Sequence, residues 1–296
     1  LLRDKEGCER TNVLPQAGID TPQDVYLECL GILTMLLAKD AQSGLQPVSE
    51  LASYWIDFLK KNNNSRSLVK RILMTTVYSL SDYGLRTYVL EWINENRPIV
   101  YKKNMSEMDT YLCRRVKEAV NVTVKGASEG MRYIKEITSI LSKNKFSLEL
   151  LFPNGFYMVS SYKESISRRV KTRTQGVLFC TSYTISGEMI NTKKAVNAAT
   201  ANTIHGIDAA IIYDVIENIP PSIPYSLVHD SIYYRAGDCD VFYEQIRRSY
   251  KKIFSTDLLQ DFKNQTEIRT GLTLPDVPEL GTIDLDEIEN AAYIWN

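Results

Sequence analysis

Apolar side chains that recur every three or four residues predict helices over the first half of the chain. Thr21, Pro22 and Asp24 are typical of a helix start, and the apolar run that follows predicts a helix to about residue 39. The same spacing predicts three further helices, at residues 48–60, 65–94 and 106–141. The third is expected to stop before Pro98.

After residue 145 the pattern favours strands. A strand, turn and strand are predicted over 148–162, another strand at 177–184, a helix at 193–217, and a strand pair folded about its centre at 225–235. Asp240 is predicted to cap a last helix through residue 250. The fold class is therefore α+β and helix-rich.

Segment 163–173 carries five Lys and Arg in eleven residues. A solvated basic loop and a phosphate-contacting hairpin both remain open for it. Residues 255–296 hold nine acids against two bases, so the rest of the chain is basic although the net charge is −1. This distribution permits a nucleic-acid partner without requiring one.

Composition excludes several classes of protein. The chain has 296 residues, 44% of them hydrophobic, which is enough to bury a core. The sequence has no run of 18 uncharged apolar residues, so no membrane span is predicted. The first residues include no Met and resemble the inside of a longer chain. The chain has five Cys, an odd number without a C-x-x-C pair, and only two His. Neither a zinc site nor a disulfide framework is therefore expected.

The pair His229-Asp230 interrupts an otherwise apolar run over 226–234. A carboxylate buried there would cost several kcal/mol unless it met a cation, a metal or several donors. The tip of a tight hairpin would instead expose Asp230, but such turns usually carry Gly or Asn. The sequence therefore favours a buried, partnered Asp230 over an exposed one.

Arg66, Lys70, Met74 and Tyr78 are each four residues apart and would form one stripe on a helix. Lys70 and Tyr78 would lie about 12 Å apart along the axis, close to the length of a nucleotide from triphosphate to sugar. Two cations hold phosphates, and a phenol reads a sugar hydroxyl. On spacing alone, however, a basic surface stripe with a half-buried Tyr is the stronger interpretation.

These segments together resemble the single-subunit DNA-directed RNA polymerases of phages and mitochondria. Six segments carry the resemblance. Segment 66–86 is similar to motif B, 228–231 to motif C, and 202–208 to the His segment before motif C. Segment 2–15 is similar to the stretch after motif A, 153–156 with the basic segment to the start of the specificity hairpin, and 292–296 to the C-terminal foot. They follow the family's order along the whole chain.

The resemblance implies a right-hand polymerase that joins ribonucleoside triphosphates into RNA on a DNA template. It implies fingers at 6–204, with a specificity-hairpin region at 153–192, and a palm at 205–296, residues 1–5 being the end of a palm segment. It also implies two Mg²⁺ ions and a monomer with no membrane partner. Many Tyr, 18 in all, indicate an AT-rich coding source such as a mitochondrion or its plasmid.

Roles for single residues follow from the same resemblance. Asp230 matches the motif C aspartate that holds metal. Lys70 matches the base that contacts the triphosphate and protonates the leaving pyrophosphate, and Arg66 matches a second phosphate contact. Tyr78 matches the residue that checks the ribose, and His205 the one near the 2′-hydroxyl.

The chain departs from the family's pattern in two ways. The motif A aspartate and the promoter-binding N-terminal domain have no counterpart in it, so the chain alone is expected to be an inactive fragment. Ser79 stands where Gly usually follows the motif B tyrosine.

Two alternatives remain open. A DNA polymerase of the same superfamily would usually carry an aromatic at Met74 and Glu at Ser231. A non-catalytic nucleic-acid-binding remnant is the other.

Overall fold

The computed structural model describes residues 1–15, 21–96 and 105–294, and it is helix-rich with small sheets, as predicted. Its α-helices are α1 (Lys5–Arg10), α2 (Val25–Gln42), α3 (Val48–Lys61), α4 (Ser65–Thr76), α5 (Asp82–Asn96), α6 (Met105–Thr123), α7 (Lys125–Lys143), α8 (Thr192–Asn218), α9 (Cys239–Phe254) and α10 (Leu258–Thr270). Its strands are β1 (Leu148–Leu151), β2 (Tyr157–Ser160), β3 (Lys163–Thr174), β4 (Val177–Ile190), β5 (Tyr225–Val228) and β6 (Ser231–Tyr234).

The predicted helix at 65–94 is wrong as a single element, because the structure divides it into α4 and α5. Ser79 lies in the intervening turn with φ 71, a left-handed conformation that a helix does not allow. The N–H groups of Ser79 and Leu80 donate back to the carbonyls of Thr76 and Thr75, which ends α4. The expected stop before Pro98 lies outside the described residues.

The predicted helix at 106–141 is also wrong as a single element. It breaks at Val124, whose φ of −114 and ψ of 38 separate α6 from α7. Three consecutive β-branched residues at 122–124 disfavour helix at this point, although the apolar spacing continues across it. The first of the predicted helices, α2, also begins later than predicted. Its first residue is Val25, because Asp24 occupies the N-cap position before the helix.

In the second half the predicted strands are confirmed. Segment 163–173, for which a loop and a hairpin both remained open, forms strand β3 of a hairpin. The strands form three antiparallel hairpins, β1–β2, β3–β4 and β5–β6. The register of the longest hairpin pairs Arg169 with Ser182 and Thr174 with Val177. Asp240 does not cap the helix that follows β6, because α9 already begins at Cys239 and Asp238 takes the capping position.

Two main cores hold these elements together. Helices α2 to α6 bury the first, whose largest members include Trp55, Leu33 and Ile72. Helices α7 to α10 bury the second against the β1–β2 hairpin, around Phe152 and Phe242. A small third cluster joins residues near both ends of the chain, Leu14, Ile288, Ala291 and Ile294.

Helix α8 packs unusually closely on the β1–β2 hairpin. Gly206 makes this approach possible, because a Cβ at that position would lie 2.7 Å from the Met158 sulfur and 3.2 Å from a carbon of the Phe152 ring. On the exposed side of the same turn of helix stands His205. The close packing of Gly206 therefore fixes where His205 stands.

Candidate functional site

The cations of the predicted stripe lie on α4 and face the start of α2. The Arg66 guanidinium donates from Nε to Oδ2 of Asp24 at 2.7 Å, and Nη2 reaches the same oxygen at 2.7 Å. Oδ1 of Asp24 accepts the N–H groups of Tyr26 and Leu27, which begin α2. Arg66 is thus held by a carboxylate that the helix itself orients.

The ring of Tyr26 lies beneath both cations. The Arg66 Cζ is 4.9 Å and the Lys70 Nζ is 5.8 Å from the ring centroid, both within the range of cation–π attraction. Within the described parts of the chain, Lys70 forms no ion pair, and its side chain is exposed. Lys70 therefore offers an uncompensated positive charge to an anion.

Tyr78 lies just beyond the end of α4, so the fourth position of the stripe is in a turn rather than on the helix. The Tyr78 N–H donates to the Thr75 carbonyl at 3.2 Å, and 39% of the residue is exposed. Its ring contacts His205 of α8, with the centroids 5.0 Å apart and the planes inclined at 45°. This contact joins the motif at 66–78 to the helix at 192–218.

Asp230 occupies the two-residue turn between β5 and β6, where Val228 pairs with Ser231. The residue is exposed, so the expectation of a buried, partnered carboxylate is wrong. The turn needs a left-handed residue, which His229 supplies with φ 55 in place of the usual Gly or Asn. The hairpin thus presents the carboxylate to solvent at its tip.

The charges of these segments change the pKa values of one another's side chains. Burial raises the pKa of the Tyr78 phenol, and the charges of Asp208 and Asp230 raise it further. Burial also raises the pKa of the Asp208 carboxyl, an effect that His205 opposes and Asp230 reinforces. Tyr78, His205, Asp208 and Asp230 therefore share one electrostatic environment, in which Tyr78 stays a hydrogen-bond donor at neutral pH.

The structure brings the predicted residues together as two groups. Arg66 and Lys70 lie over the ring of Tyr26, while Tyr78 contacts His205 and its pKa is raised by the charge of Asp230.

Sequence reasoning gave no role to Asp24 beyond the helix start, and none to Tyr26. The available signal was an acid two residues before an aromatic at the beginning of an amphipathic helix.

Among the residues that the structure describes, the carboxylates near the β5–β6 turn are few for a metal site. Mg²⁺ is commonly held by one or two carboxylates together with substrate phosphates, rather than by a complete protein cage. Asp230 is an exposed carboxylate, and its negative charge raises the pKa of the Asp208 carboxyl. The described residues contain no group of three or more His, Cys, Asp or Glu able to hold a metal by itself. This arrangement fits an ion that is shared with a nucleotide.

The β3–β4 hairpin is almost fully exposed and has two different faces. Because side chains alternate along a strand, Arg169, Lys171 and Arg173 share one face. Phe179 and Tyr183 lie on the opposite face and are 52% and 47% exposed. One face of the hairpin thus carries three bases, and the other carries the two aromatic rings together with Arg168, which pairs with Tyr183.

None of the described helices combines the length and apolar character that crossing a bilayer requires.

Comparison with known proteins gives a consistent result. A family described as DNA-dependent RNA polymerase matches residues 1–271. The DNA-directed RNA polymerase of Pseudomonas phage phiKMV is 26% identical over 86% of this chain and 31% of its own length. The human mitochondrial DNA-directed RNA polymerase is 24% identical over the whole chain and 24% of its own length.

A plastid enzyme is similar to the same degree. The chloroplastic DNA-directed RNA polymerase 3 of Nicotiana sylvestris is 22% identical over 94% of this chain and 28% of its own length. The chain therefore spans about a quarter to a third of the length of these relatives.

Proposed function

We propose that this chain, which belongs to the DNA-dependent RNA polymerase family, binds a ribonucleoside triphosphate between α4, α8 and the β5–β6 turn. The bound nucleotide would be joined to RNA on a DNA template. The reaction class is nucleotidyl transfer, in which a 3′-hydroxyl attacks the α-phosphate and pyrophosphate leaves.

One observation carries the proposal. Tyr78, His205 and Asp230 belong to segments far apart in the sequence, yet Tyr78 contacts His205 and its phenol responds to the charge of Asp230. The family resemblance gave these three residues roles around a single nucleotide. Their convergence supports a site in which Tyr78 and His205 face the sugar of that nucleotide.

Arg66 and Lys70 form the phosphate end of the proposed site. Arg66 keeps Nη1 without a partner within the described residues, and Lys70 keeps its whole ammonium group. Both can therefore donate to phosphate oxygens. Lys70 would bind the triphosphate and hold a proton for the leaving pyrophosphate, whose oxygen gains negative charge as the bond breaks.

Asp230 would hold Mg²⁺ at this site, and when bound the ion supplies positive charge against the developing charge on the phosphoryl oxygens. Asp230 sits at the end of a short hairpin, which places its carboxylate clear of the second core. Two ions and the division into fingers at 6–204 and palm at 205–296 are part of the same proposal.

The β3–β4 hairpin is proposed to contact nucleic acid. Its basic face, with Arg169, Lys171 and Arg173, suits the phosphate backbone of a template or product. The protein is further proposed to act as a monomer. A mitochondrial location is proposed from the mitochondrial relatives, although a chloroplast and a phage enzyme match as well.

Equilibrium binding of a fluorescent ribonucleoside triphosphate to the 296-residue chain, with Mg²⁺ present, tests the proposal. Lys70→Ala is expected to weaken binding about tenfold, as the loss of one charge-assisted contact implies. Arg71→Ala is the matched control, because Arg71 is a cation on the same helix that is already paired with Glu91 at 2.7 Å. Equal losses in both variants would refute a specific phosphate role for Lys70.

Sugar preference separates the alternatives. An RNA polymerase site is expected to bind the ribonucleotide more tightly than the matching deoxynucleotide, whereas a DNA polymerase of the same superfamily would show the reverse order. A non-catalytic remnant would bind DNA without preference between the two nucleotides.

A further inference from the structure

The start of α2 holds Arg66 and Lys70, the two cations of the stripe on α4, and neither the motifs nor the relatives assign it a role. We propose that Asp24 and Tyr26 are positioning residues that fix the direction of Arg66 and the spacing of Arg66 from Lys70 for a polyphosphate. The inference rests on the proposed function, because it takes Arg66 and Lys70 as phosphate ligands.

Asp24 fixes the direction of the guanidinium. One carboxylate oxygen accepts two backbone N–H groups of α2, at 2.9 and 3.1 Å, so the carboxylate cannot rotate freely. The other oxygen accepts Nε and Nη2 of Arg66. A guanidinium is planar, so holding these two nitrogens also sets where the two N–H bonds of Nη1 point. Arg66 is thereby aimed before any phosphate arrives.

Charge explains why Asp24 stays ionised. Partial burial by itself raises the pKa of Asp24, but the hydrogen bonds from Arg66 and from the backbone of α2 outweigh it, and the pKa is lowered. The resulting negative charge compensates Arg66 alone. Lys70 stays uncompensated, so the pair still attracts an anion.

Tyr26 sets the spacing between the two cations. Arg66 and Lys70 are one helical turn apart, and their charges repel each other. A single ring attracts both, with Arg66 Cζ at 4.9 Å and Lys70 Nζ at 5.8 Å from its centroid. A Lys side chain that is already packed on a ring loses less rotamer freedom when it binds a ligand.

The same helix offers a comparison that isolates the effect. Arg71 pairs with Glu91 at 2.7 Å and lies 3.9 Å from the centroid of the Tyr88 ring. The chemistry matches that of Arg66, but Arg71 follows Lys70 directly and therefore faces about 100° away around α4. Removing the ion pair between Arg71 and Glu91 therefore shows how the loss of such a pair affects α4, while Arg66 and Lys70 stay unchanged.

The experiment compares dissociation constants for a fluorescent ribonucleoside triphosphate on the 296-residue chain. Asp24→Ser keeps a good helix cap but removes the partner of Arg66, so binding is expected to weaken about fivefold. Glu91→Gln should bind like the wild type. The monophosphate of the same nucleoside should lose less affinity in Asp24→Ser than the triphosphate, which a merely structural defect would not produce.

The Tyr26 pair of variants is independent of the helix cap. Tyr26→Phe keeps the ring face and is expected to bind normally, whereas Tyr26→Leu is expected to bind about threefold to tenfold more weakly. Unfolding in urea shows that each variant is folded under the binding conditions. If Asp24→Ser does not fold, the Tyr26 variants decide the question.

The outcomes separate the inference from its premise. A wild-type chain that binds no triphosphate, or Lys70→Ala that binds normally, refutes the proposed function and this inference with it. If Lys70→Ala weakens binding while Asp24→Ser binds as tightly as the wild type or more tightly, only the positioning role fails. Asp24 would then be a competitor of the phosphate.

Discussion

Ser79 is expected to be a source of strain beside the candidate site, and Ser79→Gly should stabilise the protein. Its backbone has φ 71, and its buried hydroxyl finds no hydrogen-bond partner in the described structure. The left-handed conformation costs a non-glycine residue about 1–2 kcal/mol. An unsatisfied buried hydroxyl costs roughly another 1–3 kcal/mol. Against these gains, glycine lowers the free energy of unfolding by about 0.5–1 kcal/mol, because its unfolded chain has more conformational freedom to lose.

The net expectation for Ser79→Gly is a gain in the free energy of unfolding of about 2 kcal/mol. Urea unfolding at 25 °C followed by circular dichroism measures it as a higher midpoint at an unchanged slope. Ser79→Ala removes the hydroxyl but keeps the strained backbone, so it should gain only part of this. A Ser79→Gly variant no more stable than the wild type would refute the reasoning.

Lys145→Gly is the matched control for the backbone term. Lys145 has φ 66 just after α7, and its side chain is exposed. It therefore shares the left-handed conformation of Ser79 without the buried hydroxyl. Its expected gain is at most about 1.5 kcal/mol. If Lys145→Gly gained as much as Ser79→Gly, the hydroxyl would contribute nothing.

Three further outcomes are expected. Gly206→Ala should lower the free energy of unfolding in urea by about 1–3 kcal/mol, because its Cβ would meet Met158 and Phe152 at 2.7 and 3.2 Å; an unchanged midpoint would contradict this. Tyr78→Phe removes the hydroxyl that is proposed to bond the sugar, and it should reduce the preference for ATP over dATP by about twofold to tenfold in equilibrium binding; an unchanged ratio would make Tyr78 a packing residue. Asp24 has a lowered pKa, so its ionised form stabilises the fold above the unfolded value of 3.8 and this stabilisation is lost as the pH falls through the folded value. The stability deficit of Asp24→Ser should therefore shrink between pH 7 and pH 3, and a constant deficit would disprove the ion-pair explanation.

Local periodicity predicted the type of most elements, but it missed α1 and α10 and the breaks in the long helices. The apolar spacing continues from α4 into α5 and from α6 into α7, because each of these helices buries one face, α4 to α6 in the first core and α7 in the second. What ends α4 is the backbone of Ser79, and what ends α6 is a run of β-branched residues. One residue or a few residues that end a helix are hard to recognise in the sequence, because the apolar periodicity around them continues without interruption.

The candidate site was predictable as a set of residues but not as a geometry. Lys70, Tyr78 and Asp230 could be named from their motifs, and the contact between Tyr78 and His205 fits those roles. The part of Asp24 in holding Arg66 could not be foreseen, because it depends on how α2 docks against α4, 42 residues away. The exposure of Asp230 was missed because His229 serves the turn without being Gly or Asn.

The three hairpins have a consequence for how the molecule opens. Within the described residues each strand has only one partner, so every strand is an edge strand. The β5–β6 hairpin has four residues on each side and packs on α9 mainly where Tyr234 stacks on Phe242, 4.2 Å between centroids. Its amide protons should therefore exchange with deuterated solvent through local opening, far sooner than those in the middle of α8. A cation held by Asp230 would suppress that opening, and slower exchange at β5–β6 would report its binding.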